Sequence, residues 1–383
     1  MIAEHIFVPY RVCFVGSHID HQQGKTTSFA INKGINIVYT INGEGTISVK
    51  SKQFDLIEEK WSVIDTFIEK EDNWSDYLRG ITVSLRNRYK LSKGINATID
   101  GDLPSGGLGS SASLSIAFLL ALSKANDIKL TTEEIIEIAK ESENKYVGIQ
   151  CGLLDHSSVV YSIKNQLLIL DTKLYYHETI CVPTATRTPL VGIFFSGIER
   201  QLKNTDFNDR VIECHNAAVF LDLLSKNPFN HSVDVLSDIP YYVYKDTERK
   251  LPKHLRKRAK HFFDENDRVY SSILAWKKGD FKKFGKLSFE SCKSSINNYE
   301  VGSKQLNTLY KILKHTKGVY GGRFAGAGFN GYFIALIDEK YKDDILHKVE
   351  KKYLKHFPEL KGKYQACICE TTNGIEELLN GET

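Results

Sequence analysis

The sequence predicts an α+β fold, because segments typical of strands and of helices occur in clusters rather than in regular alternation. Runs of β-branched and aromatic residues fill much of the first forty residues, whereas helical spacing recurs after residue 208. The chain has 383 residues, which is enough for two domains with buried cores. We expect a boundary near residues 186–189, which divides the chain into domains of residues 1–187 and 188–383.

The first half is expected to begin with strands and to continue with helices. Strands are predicted over residues 10–16, 35–41, 46–49 and 95–99, with a hairpin turn at Asn42-Gly43. Apolar spacing predicts a helix over residues 73–88, and a continuous apolar run predicts a buried helix over residues 112–125. Thr131 and Glu134 match a capping box, which starts a further helix through about Tyr146.

The second half is expected to contain two strands and several helices. Strands are predicted over residues 190–195 and 332–337, helices over 208–224, 255–277 and 305–315, and a small-residue loop over 321–331. Cys367 and Cys369 are spaced like two residues on one face of a strand. Half of a metal site is the alternative, although no second Cys or His pair has a matching spacing.

Composition excludes several classes of protein. With 51 Lys and Arg against 47 Asp and Glu, the net charge is +4, too balanced to favour a nucleic-acid partner. No apolar run approaches the roughly 20 residues of a membrane helix, and the N-terminus has no secretory signal pattern. The 7 scattered cysteines are typical of reduced thiols. We therefore expect a cytoplasmic protein with no membrane or nucleic-acid partner.

The segment Pro104–Ser113, PSGGLGSSAS, carries the strongest local signal. Its three glycines allow backbone N–H groups to converge on a small anion, and the helix that follows adds its positive dipole end. The serines add hydroxyl groups. A flexible connector is the alternative, but a connector rarely opens directly into a buried helix. No Gly-Lys-Ser/Thr closes the segment, so it is not a Walker A loop.

Three motifs together resemble the GHMP kinases, a family of sugar and metabolite kinases. Pro104–Ala112 resembles the family's second motif, Pro9–His21 resembles the galactokinase signature near the N-terminus, and Gly321–Gly331 resembles the third motif. The resemblance implies two domains, the first like the second domain of ribosomal protein S5 and the second ferredoxin-like. ATP and a sugar would meet between them, and Gly326–Gly328 would pack against the phosphate loop.

Within this family the chain is most similar to the galacturonokinases. Their first motif continues as Asp-His-Gln and later as Thr-Ile-Asn-Lys-Gly-Ile, and this chain has Asp20–Gln22 and Ile31–Ile35 in the matching places. The resemblance therefore implies a sugar 1-kinase, which converts ATP and a sugar into ADP and the sugar 1-phosphate. A monomer or weak dimer is expected.

The resemblance also assigns the phosphate end of the site. Asp155, in CGLLDH, matches the catalytic carboxylate that would accept the proton of the anomeric hydroxyl, and Arg11 would lie beside it and keep it ionised. Glu143 and Ser111 match the ligands of Mg²⁺. The ATP-binding residues would be Gly106, Gly107, Leu108, Gly109, Ser110, Ser111 and Ala112, with Trp74 near the adenine.

The sugar end departs from the galactokinase pattern. His18, Asp20 and Gly152 match sugar contacts, but Phe207 falls where galactokinases carry a tyrosine, and His156 replaces their glutamine. Ser17 replaces a glutamate near the C6 oxygen of the sugar. Because a glutamate would repel a C6 carboxylate, the serine suggests an acidic sugar, D-galacturonate. Candidates for a cation that would neutralise the C6 carboxylate are Lys33, Lys25 and Arg79.

Several alternatives stay open. The protein could be a galactokinase or another neutral-sugar 1-kinase if Ser17 is a neutral replacement, or a non-catalytic galactokinase-like sugar sensor. His18, Asp20 and His21 could instead form a metal cluster, and Asp155 could be a loop cap. Glu143 could be a solvated carboxylate, with Glu141 as the alternative ligand. Arg323 is expected to be structural.

Overall fold

A computed structural model of the chain describes residues 2–65, 67–184, 186–199, 207–225 and 232–381. Helices and strands are clustered in it, so the α+β prediction is confirmed. The strands form one sheet of eight and one sheet of four. In the described part of the chain, no helix is long and apolar enough to cross a lipid bilayer.

The eight-stranded sheet is built mainly from the first half of the chain. Its first seven strands are β1 (Glu4–Val15), β2 (Lys25–Asn42), β3 (Thr46–Ser51), β4 (Glu58–Ser62), β5 (Gly94–Gly101), β6 (Gln166–Asp171) and β7 (Tyr176–Cys181). The order is β4-β3-β5-β2-β6-β7, and β1 pairs along β2. Only β3 and β5 among these pairs are parallel. The long strand β2 therefore organises the sheet.

The four-stranded sheet contains β8 (Leu190–Phe195), β9 (Val319–Phe324), β10 (Tyr332–Ile337) and β11 (Gln365–Cys369), in the order β11-β8-β10-β9. Both of its faces are covered. Tyr332, Ile334 and Leu336 of β10 belong to the core shared with the first sheet, whereas the residues between them belong to a second core. A last strand, β12 (Thr371–Thr372), returns to the first sheet and pairs with β2.

Eleven helices are described, and their bounds are α1 (Asp76–Arg86), α2 (Ser110–Ala125), α3 (Thr132–Glu141), α4 (Leu154–Tyr161), α5 (Phe207–Leu223), α6 (Tyr241–Thr247), α7 (Lys253–Lys277), α8 (Phe281–Ser294), α9 (Lys304–Lys314), α10 (Lys342–His356) and α11 (Glu376–Gly381). Single π-helical turns extend α3 over Ser142–Val147 and α8 over Ser295–Tyr299. Such turns are rare and concentrate at functional sites.

Local sequence explains the helices around the site. The predicted capping box of α3 is present, with Thr131 and Glu134 bonding to each other's backbone N–H groups. Helix α2 begins directly after Gly109, whose φ of +74° favours glycine. Its residues Ala112, Ile116 and Phe118 are fully buried, as the continuous apolar run predicts.

Two predictions about local structure need correction. Residues 321–324 are not part of a loop but belong to β9, and the glycines there have a packing role. A Cβ on Gly321 would lie 2.1 Å from the backbone oxygen of Gly285, so glycine allows α8 to approach the strand closely. The helix after Thr131 ends its α-helical part at Glu141 rather than near Tyr146, and a π-helical turn follows.

Candidate active site

The site is centred on an ion pair between the first strand and the start of α4. Arg11 of β1 donates from Nε to Asp155 Oδ1 at 2.8 Å and from a terminal nitrogen to Oδ2 at 2.7 Å. A third hydrogen bond runs to the backbone oxygen of Gly107 at 2.8 Å. Burial alone would lower the pKa of Arg11, but the carboxylate of Asp155 outweighs it, and the pKa is raised. Arg11 thus connects the predicted base with the glycine loop.

The glycine loop packs against the turn between β9 and β10. Gly107 has a φ of +108°, and a Cβ there would lie 2.8 Å from the backbone oxygen of Ala325. A Cβ on Gly326 would in turn lie 2.6 Å from Gly107 Cα. The predicted contact between the second and third motifs is therefore present. Loops from both sheets meet here, at the N-terminus of α2.

The loop presents hard oxygen donors beside a carboxylate. Ser111 Oγ donates a hydrogen bond to Glu143 Oε1 at 3.2 Å, and both residues line the cavity that Arg11 and Asp155 also line. Glu143 lies in the π-helical turn after α3 and is 5% exposed, so it is not a solvated surface carboxylate. A hydroxyl and a carboxylate at this distance fit the oxygen preference of Mg²⁺.

The loop that carries Ser17 and His18 is fixed by α7. The backbone N–H of Gly16 donates to Glu265 Oε1 at 2.7 Å, and His261 Nε2 contacts the backbone oxygen of Ser17 at 3.0 Å. Gly16 has a φ of +98°, and a Cβ would lie 2.6 Å from Thr26 Cα, so glycine is required. Helix α7 of the second half of the chain therefore sets the position of the predicted sugar-binding loop.

Glu265 is a fully buried carboxylate with two guanidinium neighbours. Arg268 Nε donates to it at 2.7 Å, and Arg323 lies 3.8 Å away. Burial alone would raise the pKa of Glu265, but the charges of the two arginines outweigh it, and the pKa falls to about 2. Arg323 is fully buried and bonds to Ser291 and Ser295, which agrees with its expected structural role.

His18 lines the cavity and has a ring nitrogen without a hydrogen-bond partner among the described residues. It has a φ of +64°, is 6% exposed, and its ring stacks on Tyr299 at 4.5 Å between centroids. Nε2 is buried without a hydrogen-bond partner among the described residues. Burial is the main reason that the pKa of His18 lies well below its usual value, so the ring is neutral. Phe207 lines the same cavity and packs edge-on against His21.

Asp20 lies close to the start of α4. Its Oδ2 accepts a hydrogen bond from the backbone N–H of Leu154 at 3.3 Å, and burial, with the charge of Asp155, raises its pKa to about 6. A Cβ on Gly152 would lie 2.2 Å from Asp20 Oδ2. Glycine at 152 therefore makes room for the Asp20 carboxylate, a reason different from the predicted approach of the sugar.

The predicted cations for a C6 carboxylate do not line the cavity. Lys25 pairs with Asp171 at 2.9 Å, and Arg79 pairs with Glu59 at 3.1 Å. Lys33 is a half-buried residue of β2 that lies outside the lining. Among the described residues that line the cavity, Arg11 is the one guanidinium or ammonium group, so this part of the sequence prediction is wrong.

The remaining predicted residues lie behind the lining. Gly106 packs against Tyr332, Leu108 is 2% exposed and Ala112 is fully buried. Trp74 is 7% exposed and stacks on Phe54 at 5.5 Å, outside the cavity. Its adenine contact stays a prediction.

Four lining residues carried no functional prediction: Cys13, Ile149, Cys151 and Leu154. Cys13, Cys151 and Leu154 lie inside motif segments, and their place in those motifs is the sequence signal that indicates them. His18, Asp20 and His21 do not form a metal-ligand group; in the described part of the chain one such group of three occurs, at Glu143, Cys151 and His156. Cys367 and Cys369 lie two residues apart on β11, with sulfurs 3.9 Å apart.

Comparisons with known proteins agree with this geometry. The family model described as the GHMP kinases N terminal domain matches residues 76–162, and the GHMP kinases C terminal model matches residues 272–356. Galacturonokinase of Arabidopsis thaliana is 35% identical, over 98% of this chain and 93% of that protein. Galactokinase of Thermotoga neapolitana is 30% identical, over 97% of this chain and 99% of that protein.

Solved structures show the same fold. The structure of Lactococcus lactis galactokinase complexed with galactose has a TM-score of 0.88 at 24% identity and covers 97% of this chain and 94% of its own. Mevalonate kinase of Methanococcus jannaschii has a TM-score of 0.67 at 17% identity and covers 97% and 99%. The motifs, the fold and the full-length relatives lead to one conclusion: the chain belongs to the GHMP kinase family and is an ATP-dependent sugar 1-kinase of the galactokinase and galacturonokinase type.

Proposed function

We propose that this kinase phosphorylates the anomeric hydroxyl of D-galacturonate. The observation that carries the choice of sugar is Ser17, a 5% exposed residue of the cavity wall that replaces the glutamate of the galactokinase signature. The Arabidopsis galacturonokinase, at 35% identity, adds support. Product and coproduct would be the sugar 1-phosphate and ADP.

At the phosphate end, the backbone N–H groups of the glycine loop and the N-terminus of α2 would bind the phosphates of ATP. Ser111 and Glu143 would hold Mg²⁺, which supplies neutralising charge for the phosphate oxygens when bound. Arg11 adds a fixed positive charge between this loop and Asp155. These groups would stabilise the charge on the transferring phosphoryl group, and such stabilisation is commonly the largest single contribution to catalysis.

Asp155 would act as the general base. Its carboxylate would accept the proton of the anomeric hydroxyl while the sugar oxygen forms its bond to the γ-phosphorus. The bond from that phosphorus to the oxygen shared with the β-phosphate would break, and ADP would leave. The two hydrogen bonds from Arg11 hold the carboxylate in one orientation. In this scheme the sugar oxygen attacks the phosphorus directly, so no covalent enzyme intermediate would form.

At the sugar end, Asp20 would accept hydrogen bonds from ring hydroxyls, while Ser17 and His18 would face C6. The hydroxyl of Ser17 and a protonated Nε2 of His18 can each donate to a carboxylate oxygen. A bound carboxylate would also raise the pKa of His18, because an adjacent negative charge favours the imidazolium. Binding of the uronate would then convert His18 to the imidazolium, which would be the cation that pairs with the C6 carboxylate.

A neutral sugar such as galactose is the second candidate, and the charge of the cavity favours it. Asp20, Glu143 and Asp155 face a single described guanidinium, that of Arg11. A further negative charge would have to overcome their repulsion. The galactokinase of Thermotoga neapolitana, at 30% identity, is consistent with this alternative.

Substrate choice is tested by ADP release with Mg-ATP and free galacturonate, glucuronate, galactose, arabinose or N-acetylgalactosamine. We expect the highest kcat/KM with galacturonate. Ser17→Glu should lower kcat/KM for galacturonate at least about tenfold, or about 1.4 kcal/mol, and spare galactose. Ser17→Gln has nearly the same size without the charge and is the matched control.

The proposal fails if the wild type prefers galactose, or if Ser17→Glu lowers kcat/KM for both sugars equally. Equal losses with Ser17→Gln and Ser17→Glu would show that size rather than charge matters at residue 17. That result would also overturn the argument for a uronate.

A further inference from the structure

At one of the proposed magnesium ligands, three side chains of different chemistry converge, two of them buried and the third half-buried. Glu143 lies in the π-helical turn after α3, Cys151 in the following loop and His156 in α4. One ligand atom from each lies within 4.8 Å of the other two. His156 Nε2 is 3.3 Å from Glu143 Oε2, on the oxygen that Ser111 does not contact.

His156 is the unusual member of this group. It is fully buried, yet neither ring nitrogen has a hydrogen-bond partner among the described residues. Buried polar side chains are hydrogen-bonded in the large majority of cases. Here Nδ1 has no partner in the described part of the chain, and the 3.3 Å contact of Nε2 with Glu143 Oε2 is an ion-pair distance without hydrogen-bond geometry, which a metal ion between the two atoms would explain. The resembling galactokinase motif has glutamine here, so the imidazole is a feature of this chain rather than of the motif.

We propose that Glu143, Cys151 and His156 form a binding site for a divalent metal ion of intermediate hardness, such as Zn²⁺. Thiolate and imidazole ligands favour Zn²⁺ over Mg²⁺, which prefers oxygen atoms. On binding, the Cys151 thiol releases its proton to solvent, and its sulfur, one imidazole nitrogen and one carboxylate oxygen form bonds to the ion.

The spacing suits such an ion. Tetrahedral Zn²⁺ with ligand bonds of about 2.0–2.3 Å separates its ligand atoms by roughly 3.3–3.8 Å. Glu143 and His156 already have this separation, and no pair of ligand atoms exceeds it by more than about 1 Å. Glu143 and Cys151 also line the cavity, which leaves a fourth position for water or a phosphate oxygen.

The site predicts competition between metals, a consequence that rests on the proposed role of Glu143 in holding Mg²⁺. Ions on the two oxygens of one carboxylate would be close enough to repel each other, so each is expected to weaken binding of the other. Zn²⁺ bound here would inhibit the kinase, and a higher Mg²⁺ concentration would relieve the inhibition. Binding of the ion itself does not depend on that role.

The experiment titrates the full chain with Co²⁺, which reports a thiolate ligand by a near-ultraviolet charge-transfer band and tetrahedral geometry by intense visible bands. We expect one equivalent of Co²⁺ to bind and one equivalent of Zn²⁺ to displace it. His156→Gln and Cys151→Ser should each weaken binding at least about tenfold. Cys181→Ser, at an exposed cysteine, and the double variant Cys367→Ser with Cys369→Ser are matched controls that should retain both bands.

The proposal is overturned if the wild type shows no charge-transfer band, if both site variants keep it, or if the Cys367/Cys369 control loses it. Two variants with different chemistry are used so that misfolding of one, checked by its Tm, leaves the other as a test. A second arm measures Zn²⁺ inhibition against Mg²⁺ concentration, with each variant normalised to its own metal-free reference. Spectroscopic binding without Mg²⁺-relieved inhibition would contradict the shared role of Glu143 and leave the zinc site intact.

Discussion

Replacement of Glu265 by glutamine should lower the free energy of unfolding by about 3 kcal/mol at pH 7. Glutamine has nearly the size of the protonated glutamic acid, so the variant removes the charge and little else. The ordinary pKa of 4.5 falls to about 2 in the folded protein, and each pH unit of difference corresponds to about 1.4 kcal/mol. The product of these two quantities gives the expected loss.

The sign of the pH dependence follows from the same shift. Because the folded pKa lies below the unfolded value, the stabilisation is fully present above pH 4.5 and disappears as the pH falls toward 2. The difference between wild type and Glu265→Gln should therefore shrink from about 3 kcal/mol at pH 7 to about 2 kcal/mol at pH 3.5. Urea unfolding followed by tryptophan fluorescence at both pH values measures it.

Glu290→Gln is the matched control. Glu290 lies on α8 and is half exposed, and its nearest cation, Lys286, is 4.0 Å away. Its replacement should change the free energy of unfolding by no more than about 0.5 kcal/mol. A loss below about 1 kcal/mol in Glu265→Gln, or a loss of the same size at pH 3.5, would refute the assignment of Glu265 as a buried carboxylate held by its arginines.

Two further predictions concern catalysis and acid stability. Asp155→Asn should lower kcat by about 10²–10⁴-fold while ATP still binds, measured by ADP release and by calorimetric titration; unchanged turnover would exclude Asp155 as the base. Burial is the main reason that the pKa of His21 falls to about 3 and that of His261 to about 4, so below pH 6.5 the unfolded chain gains protons that the folded chain does not. These two histidines should lower the free energy of unfolding by about 2 kcal/mol for each pH unit between pH 6 and 4.5, and Asp20, which takes up a proton in the folded chain over the same range, should offset about half of that loss. A free energy of unfolding that does not fall over this range in urea unfolding would contradict the prediction.

The parts of the site that depend on local backbone conformation could be predicted from the sequence. The glycine loop, the capping box at Thr131 and the start of α2 depend on backbone conformations that a few residue types favour, so short motifs were sufficient. The contact between Arg11 and Asp155 came from the family resemblance, since 144 residues separate them. No local rule could have placed that pair together.

What the sequence could not supply lies mostly in long-range packing. Gly321 and Gly322 are typical of a loop, yet they belong to a strand in which glycine allows close packing. Gly321 leaves room for the backbone of α8 at Gly285, and Gly322 leaves room for the backbone of β10 at Ile334. Lys25, Lys33 and Arg79 were predicted to pair with a C6 carboxylate on the basis of their charge alone. In the folded chain Lys25 pairs with Asp171 and Arg79 with Glu59. Helix α7 was predicted as a helix, but nothing in its pattern indicated that Glu265 would hold the sugar-binding loop.

The short strand β12 has a consequence for synthesis of the chain. Thr371 pairs with Ile31, so the sheet that carries the phosphate loop gains its last hydrogen bonds only after about 340 further residues have been translated. At about 5–20 residues per second, that interval is roughly 20–70 s. During that time the backbone groups of β2 at Ala30 and Ile31 lack their final partner, so this part of the strand stays an open edge until the end of synthesis.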